Sequence, residues 1–251
     1  QYVHYISVGS GGGSVFDLLV DAPASLASAA LTSHINDTTG AHAASAISYT
    51  PTGNGFTATD LQALAAELEN KLPRLISAGA TTAQIEAVMA DVATDGGGRV
   101  LFAAGNFHNQ TAAIRVPSNT LVEGMGYSTH IKLAAAANCD VITNRDLAAG
   151  NSRIVLRNMR LDGNRTNQTS AVGDGPGQSC VSFINCTYCA ADTLWCESPF
   201  LHGIDFAPRS VSGNPQNDPG CSYCIAINCE ASDFGDDGIT THYSQCITVI
   251  G

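Results

Sequence analysis

Ile154-Val155-Leu156-Arg157-Asn158, Val181-Ser182-Phe183-Ile184-Asn185 and Cys224-Ile225-Ala226-Ile227-Asn228 are three short apolar runs, each closed by an asparagine. The residues two and four places before each asparagine are apolar or small. Side chains in a strand alternate faces, so these two places turn inward together. Asparagine tolerates the left-handed backbone that a tight turn demands. The three asparagines stand 27 and 43 residues apart. The longer interval holds a Gly/Pro/Asn/Ser-rich stretch, 207–220, read as a loop inserted into one coil; without it the interval is about 29 residues, close to the first. Repetition at this period is the mark of a solenoid. It predicts Asn158, Asn185 and Asn228 at one turn of successive coils, with Cys186 beside Cys229.

A second repeat is independent of the first. Leu201-His202-Gly203-Ile204 matches Asp236-Asp237-Gly238-Ile239 at an offset of 35 residues. In a solenoid this sets His202 directly under Asp237, about 4.8 Å away along the stack.

Further short strands precede these. Val100-Leu101-Phe102 is followed by Gly105, Ala113-Ile114-Arg115-Val116 by Pro117, and Thr120-Leu121-Val122 by Gly124 and Gly126. Before them, residues 82–94 read as a helix. Thr81 and Gln84 have capping-box spacing. Ile85, Val88, Met89 and Val92 form one apolar stripe, and Asp95-Gly96-Gly97-Gly98 ends it. Residues 81–251 therefore read as a mainly β, right-handed parallel β-helix with an N-terminal capping helix. Cys246-Ile247-Thr248-Val249-Ile250 reads as a strand, and a bare strand edge invites pairing, so the solenoid is expected to continue beyond Gly251.

Residues 57–80 read as a helical linker. Leu61, Leu64, Leu68 and Leu75 recur at heptad-like spacing, with Lys71 in the seam and Pro73 interrupting it. A short trimeric coiled coil and a single helix packed on its own chain both fit. Residues 1–56 form an extended attachment segment. It holds Gly9-Ser10-Gly11-Gly12-Gly13-Ser14 and neither lysine nor arginine, and has too few apolar anchors to bury a core alone.

The chain of 251 residues carries a formal net charge of −11. Nucleic-acid binding needs clustered cations, and no Lys/Arg cluster is present. No apolar run approaches the ~18 residues that would span a membrane. The start, Gln1-Tyr2-Val3-His4-Tyr5, has neither the basic region nor the apolar core of a signal peptide. Nine cysteines all fall after residue 138. Cys186-x-x-Cys189 and Cys221-x-x-Cys224 have the spacing of zinc ligands, but the 31 residues between the pairs exceed that of usual zinc ribbons. Buried free thiols, disulfides and zinc are the three readings of the cysteines. No cofactor is assigned, and no residue is assigned as a metal ligand.

Residues 82–251 resemble the pectate-lyase-like superfamily of parallel β-helices, above all its phage tail spike and preneck-appendage members. The likeness rests on three places. They are the helix leading into Gly96-Gly97-Gly98-Arg99-Val100-Leu101-Phe102-Ala103-Ala104-Gly105, the turn Val116-Pro117-Ser118-Asn119-Thr120-Leu121-Val122-Glu123-Gly124, and Gly235-Asp236-Asp237-Gly238-Ile239. Ser33 to Tyr49, with His34 and His42, resembles a linker of phage tail fibre and minor tail proteins. The resemblance implies a homotrimeric tail spike or fibre subunit of the virion, assembled in the host cytoplasm. It implies attachment to other tail or baseplate proteins through the N-terminal segment, and a host-surface polysaccharide as target.

Asp236-Asp237 is also similar to the aspartate pair of polygalacturonases, in which one carboxylic acid protonates the glycosidic oxygen and others activate water. That family has a further aspartate one coil earlier, where this chain has His202. The candidate catalytic set is therefore Asp236, Asp237, His202, Asp205 and His242. Asp205 or Asp233 would supply a carboxylate at the ~6.5–9.5 Å separation of an inverting glycosidase. The alternatives are a polysaccharide lyase cleaving by elimination, a polar turn or cation site at Asp236-Asp237, and a non-catalytic adhesin or structural tail subunit of the same fold. Trp195, Phe200, Phe206 and Tyr243 are candidates for stacking on sugar faces.

Overall fold

Among the described residues, fifteen short strands pair in parallel, each with a strand one coil before or after it. The structure, a computed structural model, describes residues 62–64, 72–169, 178–209 and 220–251. The chain divides into two units, 1–72 and 73–251. In the first, residues 62–64 are helical; the rest of the proposed coiled coil, the attachment segment and the His34/His42 linker lie outside the described residues. The second unit is a parallel β-helix, and the steric rule for parallel crossovers gives it a right hand.

The solenoid has three faces. Face 1 stacks β1 (Arg74–Ile76), β2 (Gly98–Phe102), β5 (Thr120–Glu123), the first half of β8 (Val155–Asp162), the first half of β10 (Ala190–Glu197), β12 (Ile225–Ile227) and β15 (Thr248–Ile250). Face 2 stacks β3 (Gly105–Gln110), β6 (Thr129–Leu133), the second halves of β8 and β10, and β13 (Glu230–Ser232). Face 3 stacks β4 (Ile114–Val116), β7 (Ile142–Asn144), β9 (Val181–Ile184), β11 (Ile204–Ala207) and β14 (Ile239–Thr241).

Each face sends a row of apolar residues inward in register. Val100, Val122, Leu156, Ala191 and Ala226 line face 1. Phe107, Ile131, Leu161 and Cys196 line face 2, and Ile114, Ile142, Val181 and Ile204 line face 3. All of these are buried. Burying one such large aliphatic side chain is worth about 1.5–3 kcal/mol. Phe183 and Phe206 stack inside at 5.4 Å between ring centroids.

The helix α1 (Thr82–Thr94) has the capping box read from Thr81 and Gln84, and buries Ile85, Met89 and Val92. It packs on β4 and β1. The strand β1 falls inside the stretch read as helical. Pro73 cannot continue a helix, and Arg74-Leu75-Ile76 pairs with Val100-Leu101-Phe102 instead. Among the described residues, no helix is long and apolar enough to cross a membrane.

The corners correct the asparagine register. Asn158, Thr193 and Asn228 share the corner between faces 1 and 2, all with positive φ near 50°. Each step there is 35 residues, because Val155, Ala190 and Ile225 are in register. Asn185, also at positive φ, follows β9 at the end of face 3. So Asn185 lies on a different side of the solenoid from Asn158 and Asn228. Any αL corner recruits asparagine, and the matching five-residue runs belong to two different faces. In consequence Cys186 stacks on Cys221 and not on Cys229. The isolated bridge Thr187–Ser222 fixes that register, and the Cys186 N–H lies 3.3 Å from Cys221 Sγ. Cys189 stacks on Cys224 in the same way. All nine cysteines are free thiols.

Candidate functional site

His202 and Asp205 flank the entry of β11 into face 3, and Asp237 and His242 flank β14 one coil later. Ile204 pairs with Ile239 and Asp205 with Thr240. The Gly203 N–H donates to the Asp237 carbonyl at 3.0 Å, so His202 lies beneath Asp237 as the 35-residue offset requires. Gly203 permits this approach: a Cβ there would stand 2.3 Å from the Gly238 carbonyl oxygen. Gly235 is needed for a similar reason, since its Cβ would meet the Phe200 carbonyl oxygen at 1.9 Å.

The side chains form two pairs that cross between coils. His202 Nδ1 lies 4.0 Å from Asp237 Oδ2. His242 Nδ1 lies 3.0 Å from Asp205 Oδ1. The two imidazole rings are 5.6 Å apart. In each pair the lower member is buried and the upper is open. His202 is 7% and Asp205 4% exposed, whereas the side chains of Asp237 and His242 are 55% and 45% exposed. Burial pushes the Asp205 carboxyl above its ordinary range, and the His242 hydrogen bond and charge oppose that.

Of the predicted site residues, the structure brings together Asp236, Asp237, His202, Asp205 and His242. Asp233 does not join them; it accepts from Ser198 Oγ at 2.8 Å and pairs with Arg165. The aromatic candidates divide. Phe206 points into the core, and Trp195 sits on face 2 against Tyr127. Tyr243 is exposed and lines a cleft of about 430 Å³ with Asn185, Thr187, Gly220, Ser222 and Gln245.

Two features were not read from the sequence. Asp140 is buried by the face-3 row that holds Ser182 and Asp205, where its carboxylate accepts from the Ser179 N–H at 2.9 Å and Ser182 Oγ at 2.7 Å. Burial pushes it up to about 6. Its partners are 39 and 42 residues away, and no local pattern announces them.

The other feature is a second histidine–carboxylate cluster, on face 2. His130 Nε2 lies 3.7 Å from both Asp162 Oδ2 and Glu197 Oε1, and His130 Nδ1 lies 2.9 Å from His108 Nε2. Lys132 Nζ stands 2.5 Å from the same Asp162 oxygen, and Arg160 Nη2 2.5 Å from the same Glu197 oxygen. Arg160 also lies over the Tyr127 ring. Its signal was in the rows His130–Arg160–Trp195 and Lys132–Asp162–Glu197, visible only once strands are paired.

No family model matches the chain. It is similar to the phage-related protein YobO of Bacillus subtilis (strain 168), 37% identical over 144 residues, which covers 54% of this chain and 18% of YobO. It is 34% identical over 147 residues to the pre-neck appendage protein of Bacillus phage phi29, covering 55% of this chain and 17% of that protein. Among solved structures, the N-terminal fragment of phi29 gene product 12 aligns with a TM-score of 0.59 at 28% identity, over 68% of this chain and 29% of the fragment. The chain thus spans less than a fifth of the length of these curated relatives. Its homologues are phage pre-neck appendage proteins, and it shares the β-helical fold of gene product 12.

Proposed function

We propose that this relative of the phage pre-neck appendage proteins is the β-helical part of a tail appendage that binds and hydrolyses a host-surface polysaccharide on face 3. The observation that carries the reading is the crossing of two His–Asp pairs between adjacent coils, each with one buried and one exposed member, and in one of them buried Asp205 holds exposed His242 by a hydrogen bond. The Asp205 carboxylate accepts from His242 Nδ1–H, which leaves Nε2 for acid–base work. His202 in turn flanks Asp237, whose carboxylate faces solvent.

In hydrolysis, Asp237 would take a proton from water as that water's oxygen bonds to the anomeric carbon. His242 Nε2–H would give a proton to the departing glycosidic oxygen. Exposed Tyr243, the residue after His242, lines a cleft with Asn185, Thr187 and Gln245 and offers a ring on which a sugar face can stack. The reading extends to a homotrimer attached through the N-terminal segment to other tail or baseplate proteins, in a virion assembled in the host cytoplasm. Light scattering on the full chain checks the trimer; a monomer would remove that part.

The burial of His202, Asp205 and Ser182 favours a second reading, a polar ladder that stiffens a non-catalytic adhesin. Incubation with host-cell glycans separates the two, with products read by mass. Hydrolysis adds water to each fragment, elimination leaves an unsaturated sugar, and an adhesin yields intact polymer that co-sediments with the protein.

A further inference from the structure

The two histidine–carboxylate clusters differ in what neutralises them. In each, one histidine nitrogen and two carboxylate oxygens lie within 4.8 Å of one another: His130, Asp162 and Glu197 on face 2, and His202, Asp236 and Asp237 on face 3. On face 2 the oxygens are already in contact with Lys132 and Arg160, each at 2.5 Å. An added cation there would meet an ammonium and a guanidinium at close range. On face 3, among the described residues, no lysine or arginine pairs with Asp205, Asp236 or Asp237. The only basic partners among them are the imidazoles of His202 and His242. Three carboxylates in one corner, without a fixed cation, leave uncompensated negative charge.

The histidine adds a second, independent observation. The His202 side chain is only 9% exposed. Its Nδ1 is buried, has no hydrogen-bond partner, and faces Asp237 Oδ2 at 4.0 Å. A buried polar atom left unpaired is unfavourable, so a ligand that filled the gap would be favoured. A separation of 4.0 Å is too long for a hydrogen bond. It is close to the distance between two atoms that share one ion: bonds of about 2.1 Å at a tetrahedral angle set donors about 3.4 Å apart. A closure of about 0.6 Å by the exposed Asp237 side chain reaches that geometry.

We propose that His202 Nδ1, Asp236 and Asp237 bind one divalent cation of the zinc or manganese class. An imidazole with two carboxylates suits such borderline ions, whereas calcium prefers an all-oxygen shell. Three protein donors leave positions open for water and for a substrate oxygen, the pattern of a catalytic rather than a structural site. This deepens the hydrolytic reading and rests on it, because the cation would sit beside the water that Asp237 activates. It is measured separately from turnover.

The test is calorimetric titration of the full-length chain, stripped with chelator, with Zn²⁺, Mn²⁺ and Ca²⁺ in turn. One Zn²⁺ or Mn²⁺ per chain is expected, bound at least ~10-fold more tightly than Ca²⁺. His202→Ala and Asp236→Asn should each weaken it at least ~10-fold. Asp236 is exposed, so its variant serves even if His202→Ala fails to fold. Glu197→Gln, in the neutralised face-2 cluster, should bind as the wild type does. Absence of binding, wild-type affinity in Asp236→Asn, or loss of binding in Glu197→Gln would overturn the proposal. Glycan cleavage without metal binding would leave the hydrolase reading and remove this one. Metal binding without cleavage would do the reverse.

Discussion

On face 2, Asp162 and Glu197 are each held by a long basic side chain, and His130 lies between them. On face 3, the aspartates around His202 and His242 have only imidazoles beside them among the described residues. The residue types are the same and the physical outcome differs. A carboxylate matched by a fixed ammonium or guanidinium has its charge neutralised and its geometry locked, which suits a role in stability. A carboxylate matched by an imidazole keeps a partner that can gain or lose a proton near neutral pH, and that suits acid–base work. Exposure points the same way. Asp162 is 7% exposed as a side chain, while Asp237 is 55% exposed.

If face 2 is structural, removing one of its cations should be felt in stability and not in activity. Lys132→Ala leaves the nearly buried Asp162 carboxylate without its ammonium. We expect a loss of about 3 kcal/mol, at the low end for a buried pair because Lys132 is itself one-third exposed. Urea unfolding would measure it. A change below about 0.5 kcal/mol, the size of ordinary surface effects, would break the distinction between the faces. So would a fall in glycan turnover with stability intact.

Asp140 beside that face-3 row gives a pH test. Its carboxyl titrates near 6 in the fold against 3.8 in the unfolded chain. Because the folded value is raised, its neutral form is favoured by folding. The associated stability is complete below pH 3.8 and is lost as pH rises through about 6. Asp140→Asn keeps an oxygen for the Ser179 and Ser182 donors and cannot ionise. The variant should gain at most about 3 kcal/mol over the wild type at pH 8 and little at pH 4. Thermal melts at the two values would show it, and an equal effect at both would count against a charged, buried Asp140.

A smaller effect belongs to the corner between faces 1 and 2. Thr193 is held at φ 52° between Asn158 and Asn228. A β-branched residue is strained there. Thr193→Asn should stabilise by about 1 kcal/mol, whereas no gain would mean that the corner relaxes around threonine.

These residues also show what the sequence made legible. The offset between His202 and Asp237 was readable because both precede Gly-Ile, and glycine is required where Gly203 meets the next coil. The asparagine register was not, since asparagine suits left-handed corners in general and Thr193 occupies the place where the pattern would have shown one. Face 2 was hidden for a topological reason. His130, Asp162 and Glu197 are 32 and 35 residues apart in sequence, with no shared local motif. They meet only because β6, β8 and β10 stack, and β3 shifts register between Phe107 and Gln110 on the way to His108. Asp140 is the same case, a charge whose partners come from other coils.

Chemistry on face 3 and stability on face 2 is the division that most needs testing. The most direct measurement is the rate of host-glycan hydrolysis, read by product mass, for wild type, Asp237→Asn and Glu197→Gln at matched folding. Asp237→Asn should fall at least ~100-fold, the scale of losing one acid–base group, with its melting temperature unchanged, while Glu197→Gln should turn over as the wild type does. Full activity in Asp237→Asn, or an equal loss in Glu197→Gln, would contradict that division.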